Sequence, residues 1–364
     1  MGVVKLGDVA RESRLKWTKS KQDVPIVGLE HLIPDEIRFD AYDINTDNTF
    51  SKRFVKGQVL FGRRRAYQRK AAIAEFDGIC SGDITVIQAI ERKMVPELLP
   101  FIIQTPVFFD YANRGSAGSL SPRVKWEHLA DYEFELPPLE EQKILADKLW
   151  AAYRLKEAYK KLLVATDEMV KSQFIEMFGN PVTNTKGWKT AKIKDVAPEM
   201  PSKEQLSGKI WLLNLDMIES NTGRIIEKVY EDVENALSVQ SFDEGNVLFS
   251  KLRPYLNKVV IPDEPGMATT ELVPLRPEPS KLHKVFLSHL LRGNQFVNYA
   301  NDIAGGTKMP RMPLTELRNF DCILPPMDKQ LEFVFIAEQV DKSKFELKQC
   351  IENIDKVIKS LING

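Results

Sequence analysis

Short apolar runs separated by glycine and aspartate recur along the first part of the chain. They read "QVLF" at 58–61, "AAIAEF" at 71–76 and "ITVIQAI" at 84–90. Runs of this length, bounded by turn-forming residues, predict β-strands. The longer stretches "ELLPFIIQTPVFFDYAN" and "HKVFLSHLLRGNQFVNYAN" carry apolar residues at helical spacing. The pattern therefore predicts α/β (α+β) globules that combine short strands with helices.

Two much longer helices are also predicted. The first begins in "LPPLEEQ", where Pro138 suits a first helical turn and Glu140 and Glu141 suit the positive helix start. It ends at "FGNP", where Gly179 can adopt a left-handed cap and Pro181 blocks continuation. The second follows "LPPMDKQ" and runs to the end of the sequence.

Both long helices carry residues at heptad spacing, which predicts coiled-coil packing. Small alanines on one seam would permit close approach, so we expect the two helices to pack on each other. Two helices that each lie on the surface of their own domain are the alternative. The heptad positions are Ala151, Ala158 and Ala165, with Leu155, Leu162 and Met169, in the first helix, and Phe333, Val340, Leu347, Ile354 and Leu361, with Ile336, Ser343, Cys350 and Val357, in the second.

The chain repeats itself at a constant offset of 188 residues. Only the beginning slips by one, since "DVA" at Asp8 matches "DVA" at Asp195. This period is far too long for a solenoid, so each copy must be a domain with a helical extension. The sequence is therefore a tandem duplication. Matching pairs include Phe54 with Phe242, Gly57 with Gly245, Arg65 with Arg253, Tyr67 with Tyr255, Lys70 with Lys258, Gly118 with Gly306, Arg123 with Arg311 and Gln142 with Gln330.

Composition narrows the class of protein. The 364 residues suit two domains, and the 51 basic residues balance the 51 acidic ones. Three cysteines without CxxC pairing argue against a zinc site or a disulfide framework. The first residues lack the apolar run of a signal peptide, and no stretch has the length of a membrane span. We expect a cytoplasmic protein.

Catalytic motifs are not recognisable in the sequence. The four histidines show no metal-ligand spacing, and neither a P-loop nor a GxGxxG turn is present. The tetrapeptide with which amino-methyltransferases hold a flipped base is also missing. Asp83 and Glu271 occupy matching places in the two copies and are interpreted as solvated carboxylates. We therefore predict neither a catalytic site, nor a metal, nor a cofactor for this chain.

Positive charge is concentrated in one segment of the first copy, where residues 52–70 contain no acid. Arginine suits bidentate contact with guanine edges and phosphates, and such a cluster would supply the salt-sensitive part of DNA binding. A solvated β-hairpin is the alternative. The second copy keeps the pattern with different flanking residues, as expected of two readers of different sequences. The predicted DNA-binding residues here are Arg63, Arg64, Arg65, Tyr67, Arg69 and Lys70, with Lys251, Arg253, Tyr255 and Lys258 in the second copy.

Loops rich in glycine and hydroxyl residues repeat as well, at 114–126 and 302–314, and each contains a Pro-Arg pair. Glycine permits close backbone approach, while hydroxyl and basic side chains can bond phosphate oxygens. A plain flexible turn explains the composition equally well. The predicted DNA-binding residues of these loops are Ser116, Ser119, Arg123, Thr307, Lys308 and Arg311.

Several of these segments together resemble the specificity (S) subunits of Type I restriction–modification systems. The resemblance rests on "KLGDVA", "GQVLF" followed by "RRRAY", "LPPLEEQKILADKL", "KSQFIEMFGNP" and "LPPMDKQ", and it covers essentially the whole chain. Lys329 departs from the pattern, since the first copy has Glu141 there. The resemblance implies target-recognition domain 1 at 1–136, long spacer helix 1 at 137–180, target-recognition domain 2 at 181–324 and long spacer helix 2 at 325–364.

The resemblance also implies a function. Each target-recognition domain would read one half of a bipartite, asymmetric double-stranded DNA site. An antiparallel pair of helices would set the spacer and dock two modification subunits, and restriction subunits would join them. S-adenosylmethionine, ATP and Mg would then be expected on those partners. A self-contained DNA methyltransferase or nuclease, and a coiled-coil scaffold without DNA binding, are the alternatives.

Overall fold

The computed structural model describes residues 2–203, 206–232 and 239–363. The chain divides into two compact units. Unit 1 comprises Met1–Ala158 and Cys350–Gly364, and unit 2 comprises Tyr159–Gln349. Each unit therefore contains a globular part and a segment from each of two long helices.

Unit 1 combines short strands with short helices and the start of the first long helix. Its sheets have the strand orders β2-β8-β5-β6, β3-β7-β4 and β1-β9. The strands are β1 (Gly2–Lys5), β2 (Ala10–Glu12), β3 (Ile26–Val27), β4 (Lys52–Phe54), β5 (Val59–Gly62), β6 (Ala71–Ile73), β7 (Gly78–Cys80), β8 (Ile84–Ala89) and β9 (Glu133–Leu136), and the helices are α1 (Leu6–Val9), α2 (Leu99–Ile103), α3 (Pro106–Arg114), α4 (Trp126–Ala130) and α5 (Leu139–Phe178).

The three apolar runs of the first copy form strands, as predicted, and these strands are neighbours in one sheet. β5 pairs antiparallel with both β6 and β8, so that Val59 faces Ile73 on one side and Ile87 on the other. Phe61 on β5 stacks on Phe109 of α3, with ring centroids 5.7 Å apart. Complete burial of an aromatic side chain of this size stabilises a fold by about 1.5–3 kcal/mol.

Unit 2 repeats this plan. Its sheets have the strand orders β15-β14-β17, β12-β11-β16-β13 and β10-β18. The strands are β10 (Thr190–Lys192), β11 (Lys209–Leu213), β12 (Val229–Asp232), β13 (Val239–Phe242), β14 (Val247–Ser250), β15 (Val259–Val260), β16 (Gly266–Thr269), β17 (Leu272–Leu275) and β18 (Asp321–Ile323), and the helices are α6 (Ile193–Val196), α7 (Lys284–Arg292), α8 (Asn294–Asp302), α9 (Leu314–Asn319) and α10 (Met327–Asn363).

The offset of 188 residues also holds in the structure. β14 matches β5 end for end, α8 matches α3, and the two long helices begin at Leu139 and Met327. The duplication predicted from the sequence is thus a duplication of structure. Among the described residues, no helix is both long enough and apolar enough to cross a membrane.

The long helices run antiparallel within each unit. In unit 2, Asp167 pairs with Lys344, while Phe333 meets Phe174 and Phe178 with ring centroids 5.2 and 5.8 Å away. Residue numbers therefore rise along α5 as they fall along α10. In unit 1, Lys156 Nζ lies 2.6 Å from Asp355 Oδ1. The first helix ends as predicted, with Gly179 at φ +72°.

The heptad prediction was right for the series of α10 that begins at Phe333 and wrong for α5. Phe333 and Val340 are buried, and the later positions of that series are half-buried. The series on α5 faces solvent instead, because a spacing of seven recurs on every helix face and does not identify the face that meets the core. Val170 and Phe174 occupy the buried face. The exposed positions are Ala151, Leu155, Ala158, Leu162, Ala165 and Met169.

A buried glutamine fastens each long helix to its globular part. In unit 1, Gln142 Oε1 accepts the Val95 amide at 2.9 Å, and Nε2 donates to the Pro137 carbonyl at 2.8 Å. In unit 2, Gln330 accepts the His283 amide at 2.9 Å, and it donates to the carbonyls of Lys281 and Pro325 at 2.9 and 2.8 Å. Both repeats of "LPP…Q" therefore serve as helix anchors.

Candidate nucleic-acid interface

The basic segment of unit 1 forms a tight turn between β5 and β6, which we call basic turn 1 (residues 63–70). Arg65 and Arg69 both adopt the left-handed conformation, at φ +54°, on either side of a single helical turn at Ala66–Gln68. This region is rarely occupied by residues other than glycine, asparagine and aspartate, so the surroundings must hold it in place. The Arg65 amide donates to the Pro122 carbonyl at 2.8 Å.

Basic turn 2 (residues 251–258) joins β14 to β15 in the same conformation. Arg253 and Asn257 have φ +49° and +48° and flank the helical turn Pro254–Leu256. The Arg253 amide donates to the Pro310 carbonyl at 2.7 Å. The same uncommon backbone thus occurs at matched positions in both units.

A second loop packs against each basic turn. Pro-Arg loop 1 (residues 115–123) closes through an antiparallel pair between Ala117 and Arg123, and Pro-Arg loop 2 (residues 303–311) through one between Gly305 and Arg311. Gly118 and Gly306 have φ +116° and +100°, a conformation that requires glycine at both loop tips. The sequence suggested the loops; their contact with the basic turns brings the two predicted clusters together.

Some of the predicted DNA-binding side chains are open to solvent. Tyr67 and Tyr255 are 55% and 47% exposed, although aromatic side chains of this size are usually covered. Ser119, Thr307 and Lys308 are exposed at the loop tips, and Arg63, Arg65, Lys251 and Arg253 are half-buried beside them.

Other predicted contact residues are engaged inside their units. Lys70 Nζ donates to the Leu29 carbonyl at 2.7 Å, and Lys258 Nζ donates to the Leu215 carbonyl at 2.6 Å. The ammonium groups of these lysines thus tie the turns to neighbouring segments of their own units.

Arg69 and Ser116 are likewise engaged within unit 1. Arg69 Nε lies 2.7 Å from Asp35 Oδ1, and its guanidinium stands over the Phe109 ring at 5.7 Å. The Ser116 hydroxyl donates to the Ala112 carbonyl at 3.0 Å.

Asp83 and Glu271 are ion-pair partners of the Pro-Arg loops, and their interpretation as solvated carboxylates was wrong. Asp83 lies between β7 and β8 and accepts from Arg123 Nε at 2.7 Å and from an Arg64 terminal nitrogen at 3.3 Å. Glu271 lies between β16 and β17 and accepts from Arg311 Nε at 3.1 Å. Their side chains are only 20% and 23% exposed.

The charge of Asp83 is held by its arginines. Burial by itself would raise the pKa of Asp83, but the hydrogen bonds and charges of Arg123 and Arg64 outweigh it and hold the pKa below its ordinary value. The carboxyl is therefore ionised at neutral pH. Asp83 and Glu271 each precede their arginine by 40 residues, a separation that the repeat preserves but that does not by itself indicate an ion pair.

Three other titratable groups, Cys80, Cys322 and His289, are structural. Burial raises the pKa of Cys80 and of Cys322 to about 12. Burial, followed by the charges of Arg292 and Lys344, lowers the pKa of His289 to about 3. A thiol and an imidazole in these states are neither nucleophile nor acid at neutral pH.

One group of possible metal ligands lies in the part of unit 1 that follows Leu29. Glu30, His31 and Asp43 bring ligand atoms within 4.8 Å of one another. His31 Nδ1 already accepts the Gly28 amide at 2.9 Å, and Nε2 lies 3.7 Å from Asp43 Oδ1. A surface His–Asp pair accounts for this geometry.

Two units with matched basic and aromatic surfaces, built on a duplicated scaffold with two long helices, define a class of bipartite DNA readers. The chain belongs to the Type I restriction modification DNA specificity domain family, whose profile matches residues 1–163 and 185–356. It is thus a DNA-recognition subunit of a Type I restriction–modification system, and the activities of such a complex reside in other subunits.

Similar proteins agree with this assignment. The Type I restriction enzyme EcoDI specificity subunit of Escherichia coli is 23% identical over 325 residues, which cover 75% of this chain and 71% of the relative. The S subunit of a Type-I restriction-modification system from M. genitalium has a TM-score of 0.57 at 10% identity, covering 99% of this chain and 94% of that one.

A further solved structure, described as the structural basis of complex assembly and conformational transition of the type I R-M system, has a TM-score of 0.58. Its identity is 16%, and the match covers 100% of this chain and 96% of that one. At such identities the two solved structures establish the fold, and the predicted fold class is confirmed.

Proposed function

We propose that each unit reads one half of a bipartite, asymmetric DNA site through its basic turn and its Pro-Arg loop. The observation that carries this proposal is the matched backbone of the two basic turns, which present different side chains on one frame. Exposed Tyr67 and Tyr255 mark the outer side of each turn. A shared frame with unlike side chains suits two readers of different base sequences.

The predicted DNA-binding residues fall into two groups, according to whether their side chains are bonded within their own unit. Arginines and lysines without an acidic partner at their charged ends supply the phosphate term, whose strength depends on salt. Lysines and arginines engaged inside the unit hold the turn in shape. We assign Arg63, Arg65, Tyr67, Ser119, Lys251, Arg253, Tyr255, Thr307 and Lys308 to the contact surface, and Arg69, Lys70, Ser116 and Lys258 to its support.

The long helices dock the modification subunits in this proposal. The heptad series on α5 is solvent-exposed, and Leu155, Leu162 and Met169 are 47%, 48% and 52% exposed. A regular apolar stripe with a spacing of seven is what a partner helix recognises in a coiled coil. α10 adds Phe335 and Phe345 at 64% and 66% exposure. Two modification subunits, one for each copy of the repeat, would match the duplication.

The remaining chemistry belongs to partners. Methyl transfer needs S-adenosylmethionine, and cleavage driven by ATP needs Mg. We place all three on the modification and restriction subunits, and the assembled complex acts on DNA in the cytoplasm.

Mapping of methylated adenines across the genome, with and without this gene, tests the function. The proposed function predicts a two-part motif that disappears with the gene. A methylation pattern that does not depend on the gene would contradict the proposal.

The helix pair should set the spacer between the half-sites. α5 has 40 residues and is therefore about 60 Å long at about 1.5 Å per residue. Insertion or deletion of a few residues within Leu139–Phe178 should change the spacer and leave both half-site sequences intact. Sequencing of the methylated sites of these variants measures both, and unchanged spacing would remove the ruler function.

A coiled-coil scaffold without DNA binding and a self-contained enzyme make different predictions. A scaffold should give no salt-dependent affinity for DNA in the assembled complex. A self-contained enzyme should methylate adenine or bind S-adenosylmethionine as an isolated chain. We expect salt-dependent binding by the complex and neither activity from the chain alone.

A further inference from the structure

We infer that Arg123 and Arg311 each read a guanine in the major groove, one in each half-site, and that Asp83 and Glu271 are positioning residues that aim them. This inference rests on the proposed function and names the base that each unit recognises at one position.

Within the part of the chain that the structure describes, the ion pair in unit 1 leaves the two terminal nitrogens of Arg123 without a hydrogen-bond partner. Asp83 Oδ1 accepts from Arg123 Nε at 2.7 Å. Since the carboxylate uses Nε, the two terminal nitrogens of the fork keep their outward N–H donors. The Arg123 side chain is 43% exposed while Asp83 is 20% exposed. The carboxylate is thus more buried than the guanidinium from which it accepts.

Unit 2 builds the same device from a longer acid. Glu271 Oε1 accepts from Arg311 Nε at 3.1 Å and from one terminal nitrogen at 3.0 Å. The other terminal nitrogen has no hydrogen-bond partner among the residues that the structure describes, and the arginine side chain is 47% exposed. An acid and an arginine 40 residues apart thus meet in both copies, although the acid differs.

An ion-paired arginine suits base reading better than phosphate binding. The carboxylate offsets part of its charge, so the arginine adds less than an unpaired one would to the long-range attraction of the phosphate backbone. Its terminal donors remain directional, and a fixed planar fork matches the O6 and N7 acceptors of guanine. Arg65 and Arg253, which have no acidic partner at hydrogen-bond distance among the described residues, can supply the phosphate term.

The backbone brings this fork to the contact surface. In unit 1, the backbone of Arg123 forms an antiparallel β-bridge with the backbone of Arg64 in basic turn 1. In unit 2, the backbone of Arg311 forms the equivalent antiparallel β-bridge with the backbone of Leu252 in basic turn 2. The arginine therefore lies beside the basic turn in each unit, which carries the exposed tyrosine. In this inference the edge of the base lies there.

The experiment uses the complete chain assembled with its modification subunits. The two-part motif is first mapped in the genome, and duplexes of that motif are then made with 7-deazaguanine at one guanine at a time, which removes only N7. Binding is measured by fluorescence anisotropy at one fixed salt concentration. The wild-type complex should lose about tenfold in affinity at one guanine of each half-site.

The variants assign each guanine to its arginine. Arg123→Lys keeps the charge and loses the fork, so it should become insensitive to the substitution in one half-site and stay sensitive in the other. Arg311→Lys should show the reverse. Asp83→Asn should lose the same discrimination as Arg123→Lys, while Asp83→Glu, which installs the acid of unit 2, should retain it.

The outcomes separate this inference from the proposed function. A gene-dependent motif whose guanines all tolerate 7-deazaguanine would overturn the inference and leave the proposed function intact. Retained discrimination in both Arg123→Lys and Arg311→Lys would do the same. If Asp83→Asn kept full discrimination, the positioning role would be lost. Absence of any gene-dependent motif would refute the proposed function itself, and this inference with it.

Discussion

The two basic turns share one backbone and differ in the side chains that it carries. Arg65 and Arg253 adopt the same left-handed conformation, as do Arg69 and Asn257. Arg69 pairs with Asp35, whereas Asn257 is buried and donates to the Arg292 carbonyl at 3.0 Å. Two different side chains thus secure the same corner of the turn.

The comparison separates the backbone of the turns from the exposed side chains that it carries. Backbone hydrogen bonds to Pro122 and Pro310 hold the two turns, so the frame does not depend on the side chains that point outward. At the loop tips, Leu120 is 88% exposed where unit 2 has the exposed Lys308. Differences at such positions can change base preference without a cost in stability.

The largest effect should come from the helix anchors. Gln142→Ala would leave the Val95 amide and the Pro137 carbonyl without their partner, and a buried unsatisfied group costs about 1–3 kcal/mol. We expect unit 1 to lose about 3 kcal/mol of unfolding free energy. Gln330→Ala should cost unit 2 a similar amount. Urea unfolding followed by hydrogen exchange, which resolves the two units, measures this.

The matched controls are alanine substitutions at the residue that precedes each glutamine, Glu141→Ala in α5 and Lys329→Ala in α10. Both side chains are exposed, so both variants should stay near wild-type stability. A loss in only one of the two glutamine variants would show that the anchors are not equivalent.

The second effect concerns DNA affinity. Arg65→Ala and Arg253→Ala should each weaken binding of the assembled complex by about tenfold and reduce the salt slope by about one. The two losses should be similar, because the two arginines occupy the same backbone position. Binding isotherms at several salt concentrations measure both quantities. Wild-type affinity in both variants, with unfolding temperatures unchanged, would remove these residues from the contact surface.

Periodicity and repetition predicted much of this fold. The strands of "QVLF" and "ITVIQAI", the end of α5 at Gly179 and the duplication itself were predictable because each depends on local sequence. The buried face of α5 was not, since a spacing of seven does not say which face meets the core. The roles of Gln142 and Asp83 depend on partners far along the chain, and only the fold brings those together.

A smaller effect should follow from exchanging one difference between the turns. Arg64 in basic turn 1 corresponds to Leu252 in basic turn 2. Arg64→Leu should lower the salt slope by less than one, because Asp83 already offsets part of that arginine's charge. Leu252→Arg should raise the slope. The measurement is the affinity across a salt series.

The same two variants should also change the recognised half-site sequences. Arg64→Leu should alter methylation only in the half-site read by unit 1, and Leu252→Arg only in the other. Sequencing of methylated adenines shows which half changes. Changes in both halves from either variant would contradict independent reading by the two units.

The smallest effect is the part of the pH-dependent stability that Asp83 contributes. The pKa of Asp83 in the folded state is lower than that of an ordinary aspartate, which is about 3.9. The folded state therefore favours the ionised form. The stabilisation is therefore fully present above the unfolded pKa, and it is lost as pH falls through the lower, folded value. Wild-type unit 1 should lose stability below about pH 4 more steeply than Asp83→Asn, which has no carboxyl to protonate there. Thermal unfolding between neutral and acidic pH compares the two, and parallel curves would show that the Arg123 pair adds nothing to folding.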